Sequence, residues 1–225
     1  MRAATPTRAI APGIAFALAA LMLASCGGGG GESTTSALPA GCQEAPKPSP
    51  KHVNLKPPKG RVKPSQRLVA AVDTSCGRFV IALDSKDSPK TVSSFVHLAR
   101  KGVYDDTIFN RIVPNFLIQG GDPQGTGTGG PGYSVDEPPP ASAQYRRGTV
   151  AMVKTQAEPP GRSGSQFFVV TAADAGLPPQ YAVLGKVSSG QDVVDRIASL
   201  GDAASGDTGT PRATVVIRKI AVSGG

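Results

Sequence analysis

The 225-residue chain has no tryptophan, two histidines and three cysteines, and aromatic residues make up only 5% of it. So few Cys and His residues exclude a Cys/His zinc module as the organising principle of the fold, and no metal-ligand spacing is visible. There is no Gly-x-Ser-x-Gly elbow, so nothing supports a serine hydrolase. The glycine-rich run at residues 120–130 lacks the Gly-Lys-Ser/Thr ending of a phosphate-binding loop and reads as a shaped surface loop. Acidic residues are scarce, 16 against 24 Lys and Arg. The loop carboxylates Asp105, Asp106, Asp136 and Glu137 are expected to be solvated, because nothing sets a pair of them across a cleft. His97 falls in a helical segment off its apolar stripe and reads as an ordinary helix residue. Glycine (28) and proline (21) stay just below the level of a low-complexity chain, about 25–30%. With 39% hydrophobic residues the chain has material for one core plus extras.

Residues 1–25 read as a signal peptide. Arg2 and Arg8 open it, and an apolar run follows over 10–24. That run is shorter than the roughly 20 residues a membrane-spanning helix needs. It ends Leu23-Ala24-Ser25-Cys26, which resembles a lipobox, and the resemblance implies lipidation at Cys26 and a membrane anchor outside the cytoplasm. Residues 26–66 read as a tether: a glycine run over 27–31, then a stretch rich in Pro and Lys with little to bury. A semi-extended spacer is expected there, with the part over 45–64 reaching about 60 Å. The positive charge concentrates on this tether, where Lys47, Lys51, Lys56, Lys59, Arg61 and Lys63 face only Glu32 and Glu44. The folded part is therefore not a basic nucleic-acid module. With Cys26 taken, Cys42 and Cys76 are expected to pair as a disulfide in an oxidising compartment.

From residue 67 onward the pattern is many short strands with two helices between them. Strand-type runs fall at 68–73, 78–84, 107–113, 115–119, 148–153, 166–171, 181–187 and 213–222. One helix follows Asp87 or Ser88 as cap, with Pro89 in its first turn, Gly102 at its end, and Val92, Phe95, Val96 and Ala99 on one face. The other covers 192–200, with Val193, Val194, Ile197 and Leu200 inward. There is no regular strand–helix–strand alternation. The expected fold is mainly β, a closed or nearly closed antiparallel barrel capped by the helices.

Three stretches decide the reading: Phe109-Asn110-Arg111-Ile112-Val113-Pro114-Asn115-Phe116-Leu117-Ile118-Gln119-Gly120-Gly121-Asp122, then Gly148-Thr149-Val150-Ala151-Met152-Val153, then Gly164-Ser165-Gln166-Phe167-Phe168-Val169-Val170-Thr171. Together, in order and spacing, they resemble the cyclophilin family of peptidyl-prolyl cis-trans isomerases, over residues 67–225. The resemblance implies a closed eight-stranded antiparallel barrel with two capping helices, no cofactor and no metal. It implies Arg111 as the catalytic residue, Phe116, Leu117 and Phe168 as walls of a proline pocket, and Gln119 and Gln166 as groups that orient the substrate backbone. It places Met152, Val153 and Lys154 along the groove for residues before the proline. Gly176 stands where the family commonly has Trp, and Tyr181 where it commonly has His, while Leu177 keeps an apolar wall. The implied partners are proline-containing polypeptides, and a monomer is expected.

Such residue types suit the reaction. An X–Pro bond has cis and trans forms of similar energy separated by a barrier of about 18–20 kcal/mol, which comes from amide resonance. Rotation breaks no bond, so no nucleophile is needed. A guanidinium donating to the prolyl nitrogen weakens that resonance and favours the twisted state. An apolar pocket holds the ring and excludes water. The alternative is a non-catalytic proline-peptide-binding or chaperone module on the same fold.

Overall fold

The computed structural model describes residues 37–224. The expected signal peptide and lipidation at Cys26 lie outside the described residues. The elements, in chain order, are β1 (Leu68–Thr74), β2 (Gly77–Leu83), α1 (Pro89–Arg100), β3 (Thr107–Val113), β4 (Leu117–Asp122), β5 (Val135–Asp136), β6 (Thr149–Met152), β7 (Arg162–Ser163), β8 (Phe167–Val170), β9 (Val183–Ser189), α2 (Gln191–Ala198), a 3-10 turn (Ala203–Thr208) and β10 (Val216–Gly224). Eight strands close a barrel in the order β1-β10-β3-β4-β8-β6-β9-β2, and each neighbouring pair is antiparallel. Closure leaves no unpaired sheet edge. β5 and β7 form a separate two-stranded ribbon, too short for strand alternation to reveal it.

The barrel interior is filled by alternate residues of the strands. Phe79, Ile81, Phe109, Ile112, Ile118, Phe167 and Val169 are all buried there. The helices close the ends with the stripes expected of them: Val92, Phe95, Val96 and Ala99 on α1, and Val193, Val194, Ile197 and Leu200 beyond and along α2. Phe167 meets Phe95, Tyr104 and Phe109 edge-on, with centroids 6.0, 6.0 and 6.3 Å away. Edge-to-face pairs of this kind add about 0.5–1.5 kcal/mol each beyond area burial.

The cap of α1 differs from expectation. Ser88 occupies the N-cap position without a side-chain bond, and Pro89 starts the helix. The free N–H groups of Lys90 and Thr91 instead donate to the Glu137 carboxylate at 3.0 and 2.7 Å. An anion at a helix N-terminus meets both the unpaired donors and the positive end of the dipole. Asp136 is also engaged, accepting a two-pronged bond from Arg162 at 2.8 and 2.9 Å that holds its carboxyl below the usual carboxylate range. Asp136 is exposed as expected though ion-paired, while Glu137 is half-buried and caps the helix.

Residues 37–66 are not a free spacer. Gln43 N–H donates to Ser75 C=O, Lys51 to Pro123 and Leu55 to Pro131, each at 2.8 Å. Leu38, Val53, Leu55 and Val62 pack on the barrel core. Inward positions 51, 53 and 55 alternate with exposed 52, 54 and 56. That period of two lets an extended strap bury one edge, despite its Pro and Lys content. The Lys51 ammonium donates to the carbonyls of Gly102 and Val103 at 3.1 and 3.0 Å, and to that of Asp105, where the chain leaves α1. Burial pulls its pKa below the ordinary lysine value, opposed by Asp105 and Asp106. Cys42 and Cys76 are joined at an S–S distance of 2.04 Å, tying the strap to the turn between β1 and β2.

Candidate active site

The outer face of the β3-β4-β8-β6 wall carries the site, and sheet register assembles it. Arg111 lies opposite Gln119, Gln119 opposite Phe168, Phe168 opposite Ala151, and Ala151 opposite Val183. Residues directly opposite in an antiparallel sheet share a face. The next outward row sets Val113, Leu117 and Val170 side by side. Two strand spacings, about 10 Å, separate the backbones of Arg111 and Phe168, which leaves room between their side chains for a five-membered ring.

A β-bulge makes this row possible. Register shifts on both sides of Phe109 leave Asn110 without an opposite residue in β4. Strict alternation would put Phe109 and Arg111 on one face. With the extra residue, Phe109 fills the interior at 1% exposure while Arg111 is half-buried on the outside.

The outer face has its own apolar cluster, separate from the barrel core. Leu117, Tyr145, Ala151, Phe168 and Val170 are buried in it, and Phe116, Val153, Leu177 and Tyr181 are among those packed against it. Phe168 and Tyr181 meet edge-on with centroids 5.4 Å apart. Tyr145 locks Tyr181 in place: its hydroxyl donates to Tyr181 C=O at 2.7 Å and accepts from Tyr181 N–H at 2.9 Å. The Lys154 ammonium sits over the Tyr181 ring, 5.8 Å from its centroid. A Cβ at Gly176 would meet nothing within 4 Å, so the space at this position is open.

Arg111 is held by backbone rather than by a carboxylate. Its Nε donates to Asp207 C=O at 3.0 Å, and the described residues give it no ion pair. Burial lowers its pKa from the ordinary arginine value, while the charges of Asp207 and Tyr181 act in the opposite sense. Gly209 abuts its stem, and a Cβ there would lie 2.8 Å from Arg111 Cγ. The Gly209 carbonyl accepts from Ile112 N–H at 2.7 Å, which pins this loop to β3.

The two glutamines form a relay. Gln119 Nε2 donates to Gln166 Oε1 at 3.0 Å, and Gln166 Nε2 donates to Gly127 C=O and Gly129 C=O at 3.0 and 2.9 Å. The glycine loop that supplies these carbonyls is itself shaped around an anion, the buried Asp122 carboxylate. Its Oδ1 accepts from Gln124 N–H at 2.7 Å, and its Oδ2 from the N–H groups of Thr126, Gly127 and Gly129 at 2.9, 2.6 and 3.1 Å. A Cβ at Gly129 would come within 2.0 Å of Oδ1, so the loop closes this tightly only with glycine there. Converging backbone N–H groups make an anion nest, here occupied by the protein's own side chain.

Arg111, Phe116, Leu117, Gln119, Val153, Gln166, Phe168, Leu177 and Tyr181 thus lie on or against one face. Met152 does not: its side chain is in the barrel core at 1% exposure, opposite Phe167, and Ala151 takes the outward position beside Phe168. Alternation along β6 alone fixes this. Sequence reasoning passed over Tyr145, Asp122 and the Asp207–Gly209 brace. The described residues contain no group of three or more His, Cys, Asp or Glu placed to hold a metal ion.

Residues 69–222 match the family model described as cyclophilin type peptidyl-prolyl cis-trans isomerase/CLD. Peptidyl-prolyl cis-trans isomerase-like 1 of Gibberella zeae is 38% identical over 130 residues, which cover 56% of this chain and 78% of that protein. The probable peptidyl-prolyl cis-trans isomerase B of Mycobacterium tuberculosis is 36% identical over 202 residues, covering 81% of this chain and 64% of its own length. Among solved structures, a Cryptosporidium parvum cyclophilin type isomerase crystallised in the presence of the dipeptide Ala-Pro superimposes with a TM-score of 0.62 at 30% identity, over 69% of this chain and 98% of that one.

Proposed function

The chain belongs to the cyclophilin-type peptidyl-prolyl cis-trans isomerases, and from that premise we propose which of its residues perform the rotation and where the enzyme works. The protein is a peptidyl-prolyl cis-trans isomerase. Proline-containing polypeptides are its substrates, in keeping with a structural relative crystallised in the presence of the dipeptide Ala-Pro. Arg111 is the catalytic residue. The proline ring enters the hollow between Phe168, Leu117, Phe116 and Tyr181, and the Gln119–Gln166 pair holds the substrate backbone. As the prolyl nitrogen pyramidalises, its lone pair becomes an acceptor for the Arg111 guanidinium. That interaction exists in the twisted state and not in the planar amide, so it lowers the barrier rather than tightening ground-state binding. The partly buried setting strengthens it, because a neighbouring apolar cluster replaces water as the medium. One observation carries this reading: an arginine with no ion pair among the described residues shares a cross-strand row with Phe168, over an apolar cluster detached from the core.

The site of action follows from the first 26 residues. The basic start, the short apolar run and the Leu-Ala-Ser-Cys ending support export and lipidation at Cys26. The cystine of Cys42 and Cys76 suits an oxidising compartment. The enzyme then works on exported polypeptides at the outer side of a membrane, on folding steps that take tens of seconds unaided.

The test is an isomerisation assay with an Ala-Pro peptide on the full chain and on Arg111→Ala. Loss of one donor aimed at the transition state is expected to cut kcat/KM by about 10²–10³ with KM little changed. Equal rates for the two proteins would refute the role of Arg111, and peptide binding without turnover in both would make the protein a binding module. For the anchor, labelled palmitate should enter the wild-type chain and not Cys26→Ser.

A further inference from the structure

A second concave site lies away from the isomerase face, between the strap and α1. It is a hollow of about 680 Å³, within the usual size of a small-ligand pocket. Five cationic side chains, Lys56, Lys59 and Arg61 from the strap and Arg100 and Lys101 from the end of α1, line it together with His97. Among the described residues no carboxylate lines it. Neither wall has one to offer, since residues 55–66 and α1 contain no Asp or Glu. None of the six side chains donates a hydrogen bond or forms an ion pair among the described residues, where the four ion pairs all involve other arginines. The nearest carboxylates past the end of α1, Asp105 and Asp106, act on Lys51.

The ordinary reason for basic residues in a last helical turn is to complement the dipole. Here Lys51 already occupies that place, on the carbonyls of Gly102, Val103 and Asp105. Arg100 and Lys101 remain exposed and have no ion pair among the described residues, and the same holds for the strap cations across the hollow. Gathering like charges around one concavity is unfavourable unless an anion offsets it, and a concave wall focuses the field. Between the cations the floor is apolar, formed by Val62, Leu68 and Val96. A charged rim over an apolar floor suits an anion that carries an uncharged body.

We propose that this hollow binds a phosphate-bearing anion, either a free oligophosphate or the headgroup of an anionic phospholipid, and that it does so independently of prolyl isomerisation.

Titration calorimetry on the full chain carrying Cys26→Ser would use two probes, pyrophosphate and a water-soluble short-chain phosphatidylglycerol, with the matching zwitterionic phosphatidylcholine, of zero net charge, as the control. Binding is expected to weaken as salt rises and to weaken about tenfold or more in Lys59→Glu/Arg61→Glu, because two charges next to the anion are reversed. The same variant should keep the wild-type isomerisation rate, which also shows that it folds. Tighter binding of phosphatidylglycerol identifies a headgroup site, and tighter binding of pyrophosphate a free-phosphate site. Absence of binding by both probes overturns the proposal. So does equal affinity in wild type and variant, or equal affinity for the choline lipid.

Discussion

Asp122→Asn is the substitution whose consequences reach furthest along described contacts. The change keeps the side-chain shape and replaces one acceptor oxygen with a donor. The carboxylate accepts from four backbone N–H groups. Hydrogen bonds to a charged acceptor contribute about 1.5–3 kcal/mol and neutral ones about 0.5–1.5. An asparagine whose oxygen faces Thr126, Gly127 and Gly129 weakens three bonds and turns its amide group toward the Gln124 N–H. A loss of about 3 kcal/mol is expected, or about 6–12 °C in Tm for a domain of this size. Activity should fall too. The loop carbonyls of Gly127 and Gly129 hold Gln166, and Gln166 holds Gln119. A looser loop is expected to lower kcat/KM about tenfold, measured well below the new Tm. A double-mutant cycle with Gln166→Ala checks the route: Asp122→Asn should have little further effect on kcat/KM once Gln166 is gone. A lowered Tm with unchanged kcat/KM would refute the relay, and an unchanged Tm would refute the cradle itself.

Other outcomes follow from the same contacts. Gly209→Ala would bring a Cβ to 2.7 Å from Val113 Cγ2 and 2.8 Å from Arg111 Cγ at a φ of +67°. It should therefore lower kcat about tenfold while leaving KM nearly unchanged, as expected for a group that positions Arg111. Replacing Cys42 and Cys76 by Ser opens a link between residues 34 apart. The chain-entropy model puts its contribution at up to about 4 kcal/mol, to be read as a lower denaturation midpoint with the isomerisation rate at 25 °C retained. Burial lowers the pKa of Arg111 from the ordinary arginine value, but a guanidinium stays protonated throughout the assayable range. The rate is therefore expected to stay flat from about pH 6 to 9, and a titration limb inside that range would refute an arginine as the sole ionisable group of the reaction.

Much of this architecture is legible in the chain because its signals are local. The stripes on α1 and α2 and the eight strand runs depend on spacing alone, and so does the opposite facing of Phe167 and Phe168. What escaped depends on contacts between distant segments. The Glu137 cap on α1 joins residues 46 apart in sequence, and no local pattern announces it. The strap reads as a spacer by composition, and only the alternation of Lys51, Val53 and Leu55 hints that it lies flat on the barrel. The bulge at Asn110 inverts the inside and outside of β3, so naive alternation fails at the residue that matters most. The glycine loop shows its anion only when Asp122 is seen folded beneath it.

Two apolar clusters back to back across one sheet have a further consequence. The interior holds the barrel together, and the outer cluster is the surface proposed above for the peptide. Only backbone separates them. On the site proposed above, a substitution at Leu177 or Gly176, outside the barrel interior, is expected to change peptide preference at little cost to the scaffold. The exception is Gly209, which abuts the Arg111 stem and is bonded to the β3 backbone, so a change there would alter the site and loosen the strand together.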